Sequence, residues 1–237
     1  MSDVLERRSW TMPPRVREWW MAGAVAGTIY GALLLSAALE LPPGTPLTGS
    51  FAWQPAWKTA MALLLARAAW FHPVRRERRW LVAALLFSAV GDLLLAAPWL
   101  PFSFVGGLGF FLLAHLAYLA LLLPLVGDDR PHRLLACGAV IGTVGTLLGR
   151  FWPNLGTLRV EVCAYVVALT AMACAALLAR LPTPLAALGA LCFVVSDALI
   201  GIARFLSPFD RFELGIWWTY AAAQVLLVAG IVAGRRP

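Results

Sequence analysis

Apolar residues in this chain come in long uninterrupted blocks instead of alternating with polar ones. A block of roughly 20 such residues, coiled as a helix, crosses the ~30 Å hydrocarbon core of a bilayer. Of the 237 residues, 61% are hydrophobic and only 13% are charged, against about a quarter charged in soluble domains. The sequence therefore predicts an all-α, polytopic membrane protein, with spans near 19–39, 54–71, 80–97, 101–124, 133–150, 158–179, 184–206 and 213–234. These eight spans and their short turns use up the chain. The expected organisation is a single transmembrane domain over 1–237, led by a polar segment at 1–18.

The connections support this division. Residues 40–53 hold Pro42, Pro43, Gly44 and Pro46, 72–79 carry the run Arg75-Arg76-Glu77-Arg78-Arg79, and Pro182 and Pro184 part the sixth span from the seventh. Clusters of this kind break helices. The second span starts at Gln54-Pro55 and contains Lys58 and Arg67, and the fifth is rich in glycine. The apolar run after residue 18 ends near Ser36-Ala37-Ala38, which imitates a signal cleavage site, but it is longer than the 7–15-residue core of a signal peptide. It reads as a retained first span.

Arginine chooses the orientation. With the N-terminus in the cytoplasm, thirteen arginines fall in cytoplasmic segments and three, Arg150, Arg159 and Arg211, in outer ones. That bias follows the positive-inside rule and places both termini in the cytoplasm, as in a multi-pass protein of a bacterial inner membrane. The rule also accounts for the net charge of +7, so nucleic acid is not an expected partner. Cys137, Cys163, Cys174 and Cys192 lie in apolar stretches with no zinc spacing, and neither a metal nor a cofactor is expected. Glycines at Gly23/Gly27/Gly31, Gly138/Gly142 and Gly145/Gly149 have the spacing that lets helices approach closely in lipid.

Polar side chains inside spans carry the functional signal. A charge at the bilayer centre costs at least about 2.5–3.5 kcal/mol, so one that is present usually has work to do. Asp92 and Asp197 each lie about 12 or 13 residues from the inner end of an odd-numbered span, which at 1.5 Å per residue puts both roughly 18–20 Å up. His115 and Tyr118 share a face of the fourth span, and Tyr220 and Gln224 share a face of the eighth. Asp92 precedes His115 by 23 residues, as Asp197 precedes Tyr220, a hint of a parallel 4+4 repeat. Lys58, Ser88, Tyr165, Ser196, Glu161 and Arg204 are further candidates. The blander readings are interfacial anchoring for the tyrosines, a purely structural hydrogen bond for Gln224, snorkelling for Arg67 and Arg204, and ion pairing of the aspartates with Lys58, Arg67 or Arg204.

The stretch Phe87-Ser88-x-x-Gly91-Asp92-x-Leu94-Leu95, then Phe104-x-x-Gly107-x-x-x-Phe111-x-x-x-His115-x-x-Tyr118, resembles the central signature of the YhhN family. So do Gly189-Ala190-x-x-Phe193-x-x-Ser196-Asp197, Tyr220-x-x-x-Gln224, and Tyr165 with Met172. The family often has proline after the lysine of the second span, where this chain has Thr59. The resemblance implies hydrolysis of the vinyl ether bond of a lysoplasmalogen to a fatty aldehyde and a glycerophospho-ethanolamine or -choline. The substrate partner is then a lysophospholipid taken from membrane lipid.

The residues suit that chemistry. A vinyl ether hydrolyses through protonation of its β-carbon and attack of water on the resulting oxocarbenium ion, a logic related to the two carboxylates of glycosidases. Asp92 and Asp197 are the expected catalytic pair, with neither assigned as acid or base. Ser88, His115, Tyr118, Tyr165, Ser196, Tyr220 and Gln224 are expected to surround the substrate, with Lys58 toward its phosphate. The rivals are an ester-cleaving lysophospholipase, although neither Ser88 nor Ser196 sits in a nucleophile elbow, a proton-coupled carrier, and a lipid-binding protein without turnover.

Overall fold

A computed structural model describes residues 12–234, and they form eight α-helices. These are α1 (Pro14–Glu40), α2 (Gln54–Trp70), α3 (Arg75–Leu95), α4 (Ser103–Leu122), α5 (Pro131–Phe151), α6 (Arg159–Leu178), α7 (Leu185–Phe205) and α8 (Phe212–Val232). All eight coincide with the expected spans to within a few residues, because each apolar block closes its backbone hydrogen bonds within itself. Helix α3 starts earlier than expected, since the arginine run at 75–79 is already helical. The arginines Arg7, Arg8, Arg235 and Arg236, which entered the orientation argument, lie outside the described residues.

Six of the helices are long and apolar enough to cross a membrane. The other two are α2, the shortest at 17 residues with Lys58 and Arg67 within it, and α3, which opens on Arg75–Arg79 and carries Asp92. The chain neighbours α1–α2, α2–α3, α3–α4, α5–α6, α6–α7 and α7–α8 pack pairwise, while α8 returns to α1 and α2, and α4 meets α6. The bundle core is built largely from alanine, leucine and aromatic side chains, among them Met61, Leu85, Tyr118, Phe193 and Trp217.

Small residues set how tightly the helices meet. A Cβ on Gly189 would stand 2.7 Å from the Leu227 backbone nitrogen, so α7 and α8 touch backbone to backbone there. In α1, a Cβ on Gly23, Gly27 or Gly31 would strike Leu65, Met61 or Trp218, so that stripe packs as its spacing suggests. The glycines of α5 differ. A Cβ at Gly138, Gly142, Gly145 or Gly149 meets nothing within 4 Å, and their spacing does no packing work inside this chain.

The two ends of the bundle are built differently. At one end, Arg130 and Arg133 flank Asp128, with Arg130 Nε donating to Asp128 Oδ1 at 2.7 Å and Arg133 Nε 3.1 Å from Oδ2. Hydrogen bonds from Arg130, with Arg133 beside them, hold the Asp128 carboxyl down at about 2. At the other end, the α1–α2 loop is strapped to the α7–α8 loop. Gly44 N donates to Asp210 at 3.0 Å, Leu47 N donates to Glu213 at 2.9 Å, and Arg211 donates to the Leu41 carbonyl at 2.6 Å. Trp53 and Arg211, the residues that open α2 and α8, both have left-handed backbones (φ 61° and 59°), uncommon for residues with a Cβ.

Candidate active site

Beneath the strapped loops lies a chamber of about 300 Å³. Its wall takes Tyr30 and Leu34 from α1, Lys58 from α2, Asp92 from α3, Phe104 and Phe111 from α4, Ser196, Asp197 and Arg204 from α7, and Glu213, Trp217 and Tyr220 from α8. Asp92 and Asp197 thus line one cavity, although they sit at different points along their helices. Asp92 is three residues before the end of α3, whereas Asp197 is eight before the end of α7.

Asp92 is buried, with 1% of its side chain exposed, and Lys58 Nζ approaches its Oδ1 at 3.9 Å. Tyr220 Oη donates to its Oδ2 at 2.6 Å. Behind Tyr220, Gln224 Nε2 donates to the Tyr220 oxygen at 3.1 Å and to Ser88 Oγ at 2.9 Å, while Tyr118 Oη donates to Gln224 Oε1 at 2.6 Å. The i, i+4 spacing of Tyr220 and Gln224 puts both on the inner face of α8. The result is a chain of hydrogen-bonded, buried polar groups that fixes the Asp92 carboxylate.

Asp197 has other company. Tyr165 Oη donates to Asp197 Oδ2 at 2.7 Å, and His115 Nε2 lies 3.0 Å from the Tyr165 oxygen and 3.3 Å from Asp197 Oδ2. His115 is fully buried and its Nδ1 has no hydrogen-bond partner among the described residues. A buried polar atom left without a partner costs about 1–3 kcal/mol, and such atoms gather where function requires them. Phe111, Phe193 and Tyr220 pack edge to face with ring centroids 5.5–6.2 Å apart.

Beside the chamber runs a narrower slot of about 80 Å³ between α4, α5, α6 and α7. Sixteen of its 18 lining residues have hydrocarbon surfaces or none, and the two polar ones are Tyr165 and Asp197. Slot and chamber share Leu95, Phe104, Phe111, Asp197 and Ile200.

The structure brings together most of the residues singled out in the sequence. Lys58, Asp92, Ser196, Asp197 and Tyr220 line the chamber, and Tyr165 lines the slot. Ser88, Tyr118 and Gln224 form the supporting layer behind Tyr220, and His115 stands behind Asp197. Ser196 spends its proton on the Ile216 carbonyl at 3.1 Å. Glu161 is exposed and lines neither cavity. Arg67 stacks on Phe71 and Trp19, and it lines neither cavity. Arg204 stands over the Phe104 ring at 4.7 Å, on the chamber wall.

Sequence reasoning missed Tyr30, Glu213 and Trp217. Tyr30 receives a hydrogen bond from Gln54 at 3.0 Å and meets the Trp217 ring edge-on at 4.3 Å. Trp217 Nε1 donates to the Gly27 carbonyl at 3.0 Å. A tyrosine and a tryptophan in spans read as interfacial anchors, and a glutamate in the first turn of a helix reads as a complement to the helix dipole. None of the three departs from those ordinary patterns.

The YhhN family model matches residues 53–231, a range that holds every side chain of both carboxylate clusters. Two curated proteins, each named lysoplasmalogenase, from Mycobacterium bovis and Mycobacterium tuberculosis, are 52% identical to this chain over 220 residues. Each match covers 91% of this chain and 84% of the relative. No solved structure matches it.

Proposed function

From the fact that this chain belongs to the YhhN family, we propose that it is a membrane hydrolase cleaving the vinyl ether bond of lysoplasmalogens. The products are a fatty aldehyde and a glycerophospho-ethanolamine or -choline. The single observation that carries this reading is that Asp92 and Asp197, from separate helices, line one chamber with a cation and two phenols around them. The names of the two relatives support the substrate class.

The chemistry follows from the arrangement. A carboxylic acid in the chamber gives its proton to the β-carbon of the alkenyl chain, and the ether oxygen shares the positive charge that appears on the α-carbon. The second carboxylate, fixed by its hydrogen bonds, stabilises that oxocarbenium ion and takes a proton from the attacking water. The hemiacetal so formed collapses to the aldehyde and the free glycerol hydroxyl. The hemiacetal hydroxyl proton ends on the glycerol oxygen, the proton taken from water passes from the second carboxyl back to the first, and one water is consumed. Lys58, on the chamber wall, suits the lipid phosphate as a compact point charge.

An ester-cleaving serine mechanism finds no matching geometry. Ser88 accepts from Gln224 and Ser196 donates to a backbone carbonyl, so among the described residues neither is paired with a base.

All eight helices are proposed to span the inner membrane, with both termini cytoplasmic and the chamber at the outer end. A parallel 4+4 repeat is part of the proposal. In its favour, Asp92 of α3 is held by Tyr220 of α8, while Asp197 of α7 is approached by His115 of α4. Each half thus contributes one partner to the other half's carboxylate, beside Lys58 and Tyr165 from the same halves.

Purified protein incubated with 1-alkenyl-lysophosphatidylethanolamine tests the activity. Stoichiometric release of a fatty aldehyde is expected. Cleavage of an ester-linked lysolipid to a free fatty acid, with no aldehyde from the vinyl ether, would overturn the proposal.

A further inference from the structure

We propose that the slot between α4, α5, α6 and α7 holds the hydrocarbon chain of the lysolipid, and that its α5 wall selects chain length. This rests on the reading of the chamber as the site of lysolipid hydrolysis.

The polarity of the two cavities divides the substrate between them. The chamber carries Lys58, Asp92, Arg204 and Glu213, a place for a charged head group and for water. Apart from Tyr165 and Asp197, which hydrogen-bond to each other, the slot presents only apolar surface. A head group there would lose its hydration without recompense, whereas a hydrocarbon chain coming from the bilayer meets an environment as apolar as the one it leaves. Asp197 lies on the boundary, lining both cavities. A lysolipid laid across that boundary has its chain in the slot, its phosphate in the chamber and its vinyl ether beside Asp197.

One wall of the slot belongs to α5. That helix contributes Val144, Leu147, Leu148 and Phe151 to the slot and nothing to the chamber. Phe151 is wedged against α7, where a Cβ on Gly201 would come within 2.6 Å of its ring. Leu147 and Leu148 are only half-buried, so changes in their size alter the wall without emptying the bundle core. The part of the chain held in the slot lies against these residues, so their bulk sets how much of it the slot admits.

Two measurements test this. The first compares octadecyl- and decyl-length alkenyl substrates with Leu148→Trp and Leu148→Ala. Bulk at a pocket wall discriminates by about 10–200-fold. The Trp variant is expected to lower the octadecyl-to-decyl ratio of kcat/KM about tenfold, with the Ala variant moving it the other way. An unchanged ratio in both, with aldehyde still released, overturns the slot assignment and leaves the hydrolase reading standing.

The second measurement does not depend on turnover. A 1-O-alkyl lysophosphatidylethanolamine carrying a diazirine at the chain terminus is irradiated on the wild-type protein in nanodiscs. Labels on peptides covering 144–151, competed away by unlabelled lysolipid, support the assignment. Labels confined to other helices overturn it. Labelling of α5 by this probe, together with no aldehyde from the alkenyl substrates of the first measurement, would keep the chain site and sink the proposed reaction.

Discussion

The two carboxylates occupy matching places in the sequence, each 23 residues ahead of a polar aromatic residue, and yet their surroundings differ. Asp92 faces a lysine ammonium at 3.9 Å and is backed by a relay of Tyr220, Gln224, Tyr118 and Ser88. Asp197 has a phenol and an imidazole for partners and an apolar slot alongside. A shared sequence pattern has thus been furnished with two chemical environments, one charged and tightly networked, the other less charged and bordering hydrocarbon. Two carboxyl groups held in different surroundings divide the roles of acid and base, and the difference lies in what other helices bring to them.

The sharpest way to break this comparison is to neutralise each carboxylate in turn. Both Asp92→Asn and Asp197→Asn are expected to lower kcat for aldehyde release by about 10²–10⁴-fold, the range for loss of a general acid or base. The double variant should be little worse than the poorer single one, because residues that act as a unit are not additive. Full activity in either single variant would show that its carboxylate is outside the reaction and that the two environments do not divide one task.

Removal of Lys58 sharpens the comparison from the Asp92 side. Lys58→Met keeps length and burial while discarding the charge. A reduction of about 10- to 100-fold in kcat/KM is expected, as for a lost hydrogen bond to a charged group, with most of it in KM. The same variant assayed on a 1-alkenylglycerol, which has no phosphate, should lose far less. An equal loss on both substrates would assign Lys58 to Asp92 alone.

Much of this could be seen in the chain before any coordinates. The eight helices were legible because apolar block length has one outcome in lipid. The two aspartates and their aromatic neighbours were legible because polar side chains stand out against such a background. The similar depth inferred for Asp92 and Asp197 rested on starting the third helix after the arginine run, whereas the run itself is helical. The glycines of α5 have the spacing of a packing stripe and meet nothing, since spacing says which face is smooth and not what lies against it. The slot was invisible for a related reason. Its wall is made of valine, leucine and phenylalanine, and nothing in an apolar sequence tells a residue facing a cavity from one facing lipid.

The finest division the comparison supports is within the Asp92 relay, between the phenol that touches the carboxylate and the one behind it. Tyr220 lines the chamber and donates directly to Asp92. Tyr118 is fully buried, lines neither cavity, and reaches the relay only through Gln224. Each substitution by phenylalanine deletes one oxygen and leaves a buried partner unpaired, so each should destabilise by about 1–3 kcal/mol, read as a lower melting temperature. Their effects on catalysis should part. Tyr220→Phe frees Asp92 to turn and is expected to lower kcat about tenfold, whereas Tyr118→Phe should stay within about threefold, because Tyr220 still holds the carboxylate. Equal losses of activity in the two would mean that the relay works as one unit with the reacting groups, and the boundary between the site and its support would have to be drawn one layer further out.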